Sequence, residues 1–266
     1  MTLFTTAYFP SISYMARFLS EDEPVIEVWE TYHKQTYRNR CRVMTANGVE
    51  SLSVPVVKVN GNHTMTKDMV ISPVEPWQHI HSRCLESAYK AAPYFDHYYD
   101  YLRPIFDGRF ERLIDLNDAA LQAVLKMLKV KKDIVHTTDY VREADCDLRE
   151  AFCPKKQADA TLFPKYYQVF SEKFPFAPDL SVLDLIFNEG PEAIGYLSTL
   201  NSKLFLRIGN PDMIDIHQLL LQDLAASLDV VEGEVGVKEL PRLHLLVDDA
   251  IHHVADFLLV RVLEAM

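Results

Sequence analysis

The fold is decided by Thr2-Leu3-Phe4-Thr5-Thr6-Ala7-Tyr8-Phe9-Pro10-Ser11-Ile12-Ser13-Tyr14-Met15-Ala16-Arg17-Phe18-Leu19, followed by Val25-Ile26-Glu27-Val28-Trp29. Leu3–Ala7 is short, apolar and β-prone, and Pro10 ends it. Ser11 or Ser13 can cap the helix that follows, which carries Ile12, Met15, Ala16 and Leu19 on one face. Val25–Trp29 is a second β-prone run. A strand, a helix and a second strand in this order open an α/β fold.

A β-hairpin is predicted directly after this unit. Tyr37–Ala46 and Val49–Val57 are extended runs joined by Asn47-Gly48, the dipeptide that a type I′ turn prefers. Asp68–Ile71 is predicted as another short strand, and Ile134–Thr138 as a strand that returns to the sheet.

The rest of the chain is predicted to be mainly helical. Helices are expected from Pro76 to Val130, the third of them capped by Asn117, and Ser181 opens another. Residues 143–178 are irregular and rich in proline, and long loops of this kind are often functional. Two more helices are expected at 213–229 and 240–265. The predicted fold is therefore α/β, with a small mixed sheet, a hairpin excursion and flanking helices in a domain of residues 1–211, and an acidic helical C-terminal extension over 212–266.

Composition excludes several classes of protein. The net charge of −11 over 266 residues disfavours a nucleic-acid binder. No run has the ~18 apolar residues of a membrane span, and the N-terminus lacks the pattern of a signal peptide, so a cytoplasmic protein is expected. The four cysteines form no C-x-x-C pair and are expected to be reduced thiols.

Charge is unevenly distributed along the chain. Residues 31–67 hold six basic side chains and one acidic one, whereas residues 212–266 hold eleven acidic and three basic ones. The first segment could collect a small anionic ligand, and the acidic extension could face solvent or a protein partner.

The candidate binding site is the basic, aromatic segment Tyr32–Arg42. Guanidinium groups bind phosphate and aromatic rings stack on a base or sugar, so Lys34, Arg38 and Arg40 are assigned to an anion, Tyr37 to stacking and Asn39 to a polar contact. On a strand, Arg38, Arg40 and Arg42 would share one face. The alternative is that acidic side chains elsewhere in the chain neutralise these arginines on a solvated strand.

Two weaker candidates accompany this segment. The turn beginning at Tyr8 leads into a helix N-terminus, where an anion can bind, although a structural turn is the better interpretation. Arg83 and Glu86 are three residues apart on a predicted helix and could pair on its surface or position a substrate. No spacing of histidine and acidic residues indicates a metal site, and no catalytic residue is identified.

Several stretches, in order, resemble the WbqC-like family of bacterial proteins. They are Ala7–Pro10, Tyr32–Arg40, Leu52–Val56, Trp77–Tyr89, Ala92–Phe95, Tyr166–Gln168 and Leu180–Gly190. The resemblance implies a surface-polysaccharide context, including O-antigen gene clusters, and suggests a sugar-modifying acyl or aminoacyl transferase. The basic segment adds the hypothesis that the chain binds a phosphorylated or nucleotide-linked small molecule, with a nucleotide as the candidate cofactor.

Two departures from the family pattern keep a second function open. Asp145–Arg149 stands where many members have a glycine-containing segment, and residues beyond about 212 have no counterpart in the family. The alternative to an enzyme is therefore a non-catalytic binding or scaffold protein of the polysaccharide machinery.

Overall fold

The computed structural model of the chain describes residues 1–155 and 158–208. The chain divides into two units, Met1–Phe205 and Leu206–Met266, and the description below concerns the first. The predicted domain boundary at 211 and the predicted helices at 213–229 and 240–265 lie outside the described residues. The strands are β1 (Thr2–Thr5), β2 (Pro24–Glu27), β3 (Arg40–Thr45), β4 (Gly48–Ser53), β5 (Val56–Val57), β6 (Val70–Ile71), β7 (Val135–His136) and β8 (Cys146–Asp147). The helices are α1 (Ile12–Ser20), α2 (Trp77–Tyr89), α3 (Phe95–Tyr98), α4 (Arg103–Asp107), α5 (Leu113–Met127), α6 (Val182–Glu189) and α7 (Ala193–Ile208).

The core of the fold is a parallel sheet with the strand order β7-β2-β1-β8. β1 and β2 run side by side, with Thr2 opposite Pro24 and Thr5 opposite Glu27, and α1 connects them. The predicted strand, helix and strand are therefore confirmed, and Ser11 is the cap, because its hydroxyl accepts a hydrogen bond from the Tyr14 backbone. β7 confirms the strand predicted at Ile134–Thr138. β8 corrects the prediction that residues 143–178 are irregular throughout.

The hairpin is formed by β3 and β4, and its turn differs from the predicted one. Thr45 pairs with Gly48, so Ala46 and Asn47 form the loop. Within this turn, which the structure describes fully, only Gly48 has a positive φ, at 104°. A type I′ turn needs a positive φ at both central residues, so this turn instead has the pattern of a type I turn followed by a glycine bulge. The small predicted sheet is thus realised as one parallel sheet and two antiparallel pairs, β3–β4 and β5–β6.

Helices and aromatic side chains cover the parallel sheet. The centre of the Phe4 ring in β1 lies 5.3 Å from that of Tyr14 and 5.4 Å from that of Phe18, both in α1. Both ring pairs have the stabilising edge-to-face geometry. The helix predicted to begin at Asn117 begins at Leu113 instead. Asn117 is 1% exposed in the second turn of α5, so it is an interior residue of the helix and not its cap.

A buried carboxylate fastens α6 to the rest of the domain. Ser181 caps this helix as predicted, and Asp184 in its first turn is fully buried. The Asp184 side chain accepts hydrogen bonds from the hydroxyls of Tyr89 (2.8 Å) and Tyr166 (2.5 Å) and from the Gln168 amide (2.9 Å). Tyr166 and Gln168 therefore help to hold α6 in place.

Two features bear on the class of protein. In residues 1–155 and 158–208, no helix is long and apolar enough to cross a membrane. The four cysteines are free thiols, with Cys41 buried and the other three partly buried.

Candidate functional site

The carboxyl ends of the parallel strands carry a concentration of polar groups. Thr5 ends β1, Glu27 ends β2, Thr137 follows β7, and Glu150 lies three residues after β8. The chain leaves β1 towards β2 and β7, and then returns to the other side of β1 to form β8. The carboxyl edge between β1 and β8 is therefore a topological switch point, where open α/β sheets bind their ligands.

A buried ion pair occupies this edge. The Arg38 side chain is 1% exposed, and its Nε and Nη2 lie 2.9 Å and 2.7 Å from Oε1 of Glu30. The Thr5 hydroxyl donates to the same oxygen at 2.8 Å. Because the charges are paired and the carboxylate oxygen accepts several hydrogen bonds, the cost of removing both ions from water is offset.

A second carboxylate continues this network to the surface. Oε1 of Glu150 lies 3.3 Å from Arg38 Nη2 and 2.9 Å from Nδ1 of His33. The side chains of His33 and Glu150 are 53% and 57% exposed, in contrast to the buried Arg38. The contacts therefore run from a solvent-accessible imidazole, through Glu150 and Arg38, to Glu30 in the interior.

Asn117 of α5 fixes the backbone around Arg38. Its amide nitrogen donates to the Arg38 carbonyl oxygen at 2.8 Å and to the Thr6 hydroxyl at 3.0 Å. α5 thus joins the end of β1 to the segment that precedes β3.

A basic cluster around Tyr32 adjoins the ion pair. Lys58 Nζ lies 5.8 Å from the centre of the Tyr32 ring. Burial raises the pKa of Tyr32 to about 12, while the charges of Arg38 and Arg40 act in the opposite direction. Arg40 is only half-buried, but its Nε is buried and has no hydrogen-bond partner among the described residues. A buried guanidinium N–H without an acceptor is costly, so this position favours an anionic ligand.

The predicted strand face with three arginines is partly wrong. β3 begins at Arg40, so Arg40 and Arg42 share its partly exposed face, while Cys41 and Val43 face the core. Arg38 precedes the strand and turns inward to Glu30. The reason is that Glu30 lies beside it in the interior, because a charge tolerates burial only when it is paired. The alternative interpretation had also paired these arginines with acidic side chains, but on a solvated strand.

The turn at Tyr8 is occupied by groups of the protein itself. Tyr8 is fully buried, and its hydroxyl lies 3.0 Å from Nδ1 of His81. At the N-terminus of α1, Asp179 accepts hydrogen bonds from the Ser13 backbone and hydroxyl, each at 2.8 Å. This carboxylate takes the place that an anionic ligand would need, which supports the structural interpretation of the turn.

The remaining predicted residues fall into buried and exposed groups. Tyr37 is 6% exposed and accepts a hydrogen bond at its carbonyl from the Tyr8 backbone, and Asn39 is 8% exposed and donates to the Val54 carbonyl. Stacking on Tyr37 would require the residues that cover it to move.

Lys34 is exposed on the loop before β3. Arg83 and Glu86 lie on α2, where Glu86 accepts a hydrogen bond from the Tyr99 hydroxyl and Arg83 is exposed. No structural observation links this pair to the ion pair at the sheet edge.

Sequence reasoning did not single out His33, Glu30 or Glu150 as site residues. Each follows a short strand or precedes one, but contacts over 112 and 117 residues, such as Arg38–Glu150 and His33–Glu150, leave no local pattern. A polar residue after each parallel strand was the signal available, and β8 was not recognised as a strand. In the described part of the chain, no group of three or more histidine, cysteine or acidic residues is arranged to hold a metal ion.

Comparison with known proteins identifies the family. Over 217 residues, the chain is 26% identical to the uncharacterized protein Rv1507c of Mycobacterium tuberculosis (strain ATCC 25618 / H37Rv). This match covers 71% of the chain and 91% of that protein. No solved structure matches the chain. The model of the WbqC-like protein family matches residues 6–166, which include the ion pair, the basic cluster and the ends of β2, β7 and β8, whereas β1 lies just before the match. The chain therefore belongs to the WbqC-like protein family.

Proposed function

We propose that the carboxyl edge of the parallel sheet binds a phosphorylated or nucleotide-linked small molecule. The observation that carries this proposal is the buried Nε of Arg40, which lacks a partner among the described residues at the edge of the basic cluster. Because this Nε is covered in the structure, a phosphate oxygen would accept its hydrogen bond once the covering residues move, with Lys58 and the exposed Lys34 contributing positive charge. Arg38 is not a direct ligand in this proposal, since Glu30 and Glu150 already neutralise it.

The reaction proposed for this site is transfer of an acyl or aminoacyl group to a sugar during surface-polysaccharide assembly. Support for the context comes from membership of the family, whose members are typically encoded among surface-polysaccharide genes. Support for chemistry at the edge comes from the accessible His33 beside Glu150, because enzymes place proton-transferring groups next to the ligand.

A thermal-shift panel of nucleotides, nucleotide-sugars and pyrophosphate, with and without Mg²⁺, tests the proposal. A ligand that binds only the folded protein stabilises it by about 2.7 kcal/mol at 100 times its Kd. We expect at least one diphosphate-containing compound to raise Tm, and Arg40→Ala to abolish that shift. Arg109→Ala, at an exposed arginine outside the site, is the matched control and should keep it.

The alternative, a non-catalytic binding or scaffold protein of the polysaccharide machinery, makes a different prediction in the same panel. No compound would raise Tm, or the Arg40→Ala variant would respond like the wild type. The departure at Asp145–Arg149 favours this alternative in sequence, but the same segment forms β8 and leads into Glu150.

A further inference from the structure

His33 is the one histidine at the sheet edge whose ring is both accessible and bonded to a buried network in the described part of the chain. Its Nδ1 lies 2.9 Å from Oε1 of Glu150, and its side chain is 53% exposed. A carboxylate only accepts hydrogen bonds, so Nδ1 must carry the proton. In the neutral ring, Nε2 is then left with a lone pair, which is the form of imidazole that removes a proton from a substrate.

Glu150 is held in place from behind. Arg38 reaches its Oε1 with Nη2 at 3.3 Å, and Glu30 and Asn117 fix the side chain and backbone of Arg38. Arg38 is 1% exposed, so the support of Glu150 is rigid although Glu150 itself is half-exposed. An acidic residue that bonds Nδ1 of a histidine and so orients its ring is part of the arrangement found in nucleophile-activating sites.

The other histidines with close polar contacts differ in ways that matter. His81 is 3% exposed against Tyr8, so a substrate cannot reach it. His136 lies 3.0 Å from Asp118, but it belongs to β7, the outer strand at the far side of the sheet from β8. His33 alone among these three lies next to Tyr32 and the basic cluster.

We infer that His33, oriented by Glu150, is the general base of an acyl-transfer reaction at this edge. Its substrates would be an amine or hydroxyl acceptor on a phosphorylated sugar and an activated acyl ester as donor. Nε2 removes the proton of the acceptor, and the acceptor atom forms a bond to the acyl carbon. The bond from that carbon to the leaving group breaks, and the imidazolium returns the proton to the leaving group. Glu150 and Arg38 act as positioning residues.

This inference rests on the proposed function, and two measurements separate their failures. The first is the ¹⁵N NMR signature of the His33 ring, assigned with His33→Gln. We expect the Nδ1–H tautomer in the wild type and the Nε2–H tautomer, which is the commoner form in solution, in Glu150→Gln. An unchanged tautomer in Glu150→Gln would show that Glu150 does not orient the ring and would overturn its role as a positioning residue. An Nε2–H tautomer in the wild type would overturn the inference and leave the anion site untouched.

The second measurement is hydrolysis of p-nitrophenyl acetate, with water as the acceptor. General-base catalysis contributes about 10²–10⁴-fold to a rate in an optimised site, so a simple ester should still show a clear difference. We expect His33→Gln to lose most of the protein-dependent release of p-nitrophenolate, Glu150→Gln to lose part of it, and His63→Gln, at an exposed histidine on another loop, to lose none. Equal rates for the wild type and His33→Gln would overturn the inference. If no compound in the thermal-shift panel raises the Tm of the wild type, that result would instead count against the anion site.

Discussion

Arg38 shows what burial does to a single charged side chain. It is 1% exposed and paired with Glu30, so removing it leaves an uncompensated carboxylate in the interior. We expect Arg38→Ala to lower the free energy of unfolding by about 3–5 kcal/mol. Arg40→Ala, at a half-buried guanidinium with an unpaired Nε, should cost less than about 1 kcal/mol. Urea unfolding followed by circular dichroism measures both.

The same comparison revises the expectation that Arg38 shares one strand face with Arg40 and Arg42. A solvated Arg38 could be removed without a change in Tm, whereas the buried one cannot, so Arg40 is the better variant for binding experiments. The sequence supplied the basic segment but not its division into a buried and an accessible arginine. That division depends on Glu30 and Glu150, whose positions follow from the folding of distant segments. Equal stability losses in the two variants would contradict the division.

His81 predicts a dependence of stability on pH. Burial lowers the pKa of His81 to about 4, below its ordinary value of 6.5, so the unfolded chain takes up this proton at a higher pH than the folded protein does. The contribution is therefore fully present above pH 6.5 and is lost as the pH falls towards 4. At about 1.4 kcal/mol per pKa unit, the loss is on the order of 3 kcal/mol. The Tm values of the wild type and His81→Gln, plotted against pH, should converge on acidification, because glutamine does not titrate. Parallel curves would show that His81 is not held neutral.

At the scale of elements, α5 stabilises the site because its Asn117 side chain binds the segments that carry Arg38 and Thr6. Asn117→Ala removes the donor to the Arg38 carbonyl and to the Thr6 hydroxyl. Leaving such buried acceptors unpaired should cost about 2–3 kcal/mol. Lys126→Ala, on the exposed face of the same helix, should change stability by less than about 0.5 kcal/mol. Similar losses for the two variants, measured by urea unfolding, would contradict this role.

Alanine substitutions at two glycines near the α6–α7 junction should change the stability in opposite directions. Gly190 has a φ of 56°, and an added Cβ would lie 2.6 Å from the Tyr94 ring, so Gly190→Ala should cost more than about 1 kcal/mol. Gly195 lies in α7 with no heavy atom within 4 Å of an added Cβ, so Gly195→Ala should stabilise by about 0.5–1 kcal/mol. Differential scanning calorimetry of both variants checks the signs, and stabilisation by Gly190→Ala would contradict the described junction.

Most elements were predictable because their signals are local. The Ser11 cap with its apolar helix face, the hairpin and the Ser181 cap all depend on residues within a few positions of one another. β8 was missed because a strand of two residues, Cys146–Asp147, has no periodicity of its own. It forms because Cys146 and Asp147 pair with the free edge of β1. The paired residues Thr2 and Cys146 are 144 positions apart in the sequence. Asn117 was misplaced for a related reason: its contacts in the fold outweigh its preference for a cap.

At the scale of the whole molecule, the strand order places the candidate site. The order β7-β2-β1-β8 brings the ends of β1 and β8 together, and with them Thr5, Arg38 and Glu150. Strand order follows from long-range pairing, so the sequence indicated an α/β fold and a basic segment but not where they meet. The central claim is that this edge, with Arg40 and His33 at its accessible side, is the ligand site.

The most direct test is a titration with pyrophosphate, followed in the ¹H–¹³C NMR spectrum of the histidine rings. The ring signal of His33 should move in a saturable way, while those of the exposed His63 and His97, on other segments, should stay in place. The same titration of Arg40→Ala should leave His33 unmoved. A stationary His33 signal in the wild type at saturating pyrophosphate, or an equal shift in Arg40→Ala, would contradict the claim that the sheet edge binds the anion.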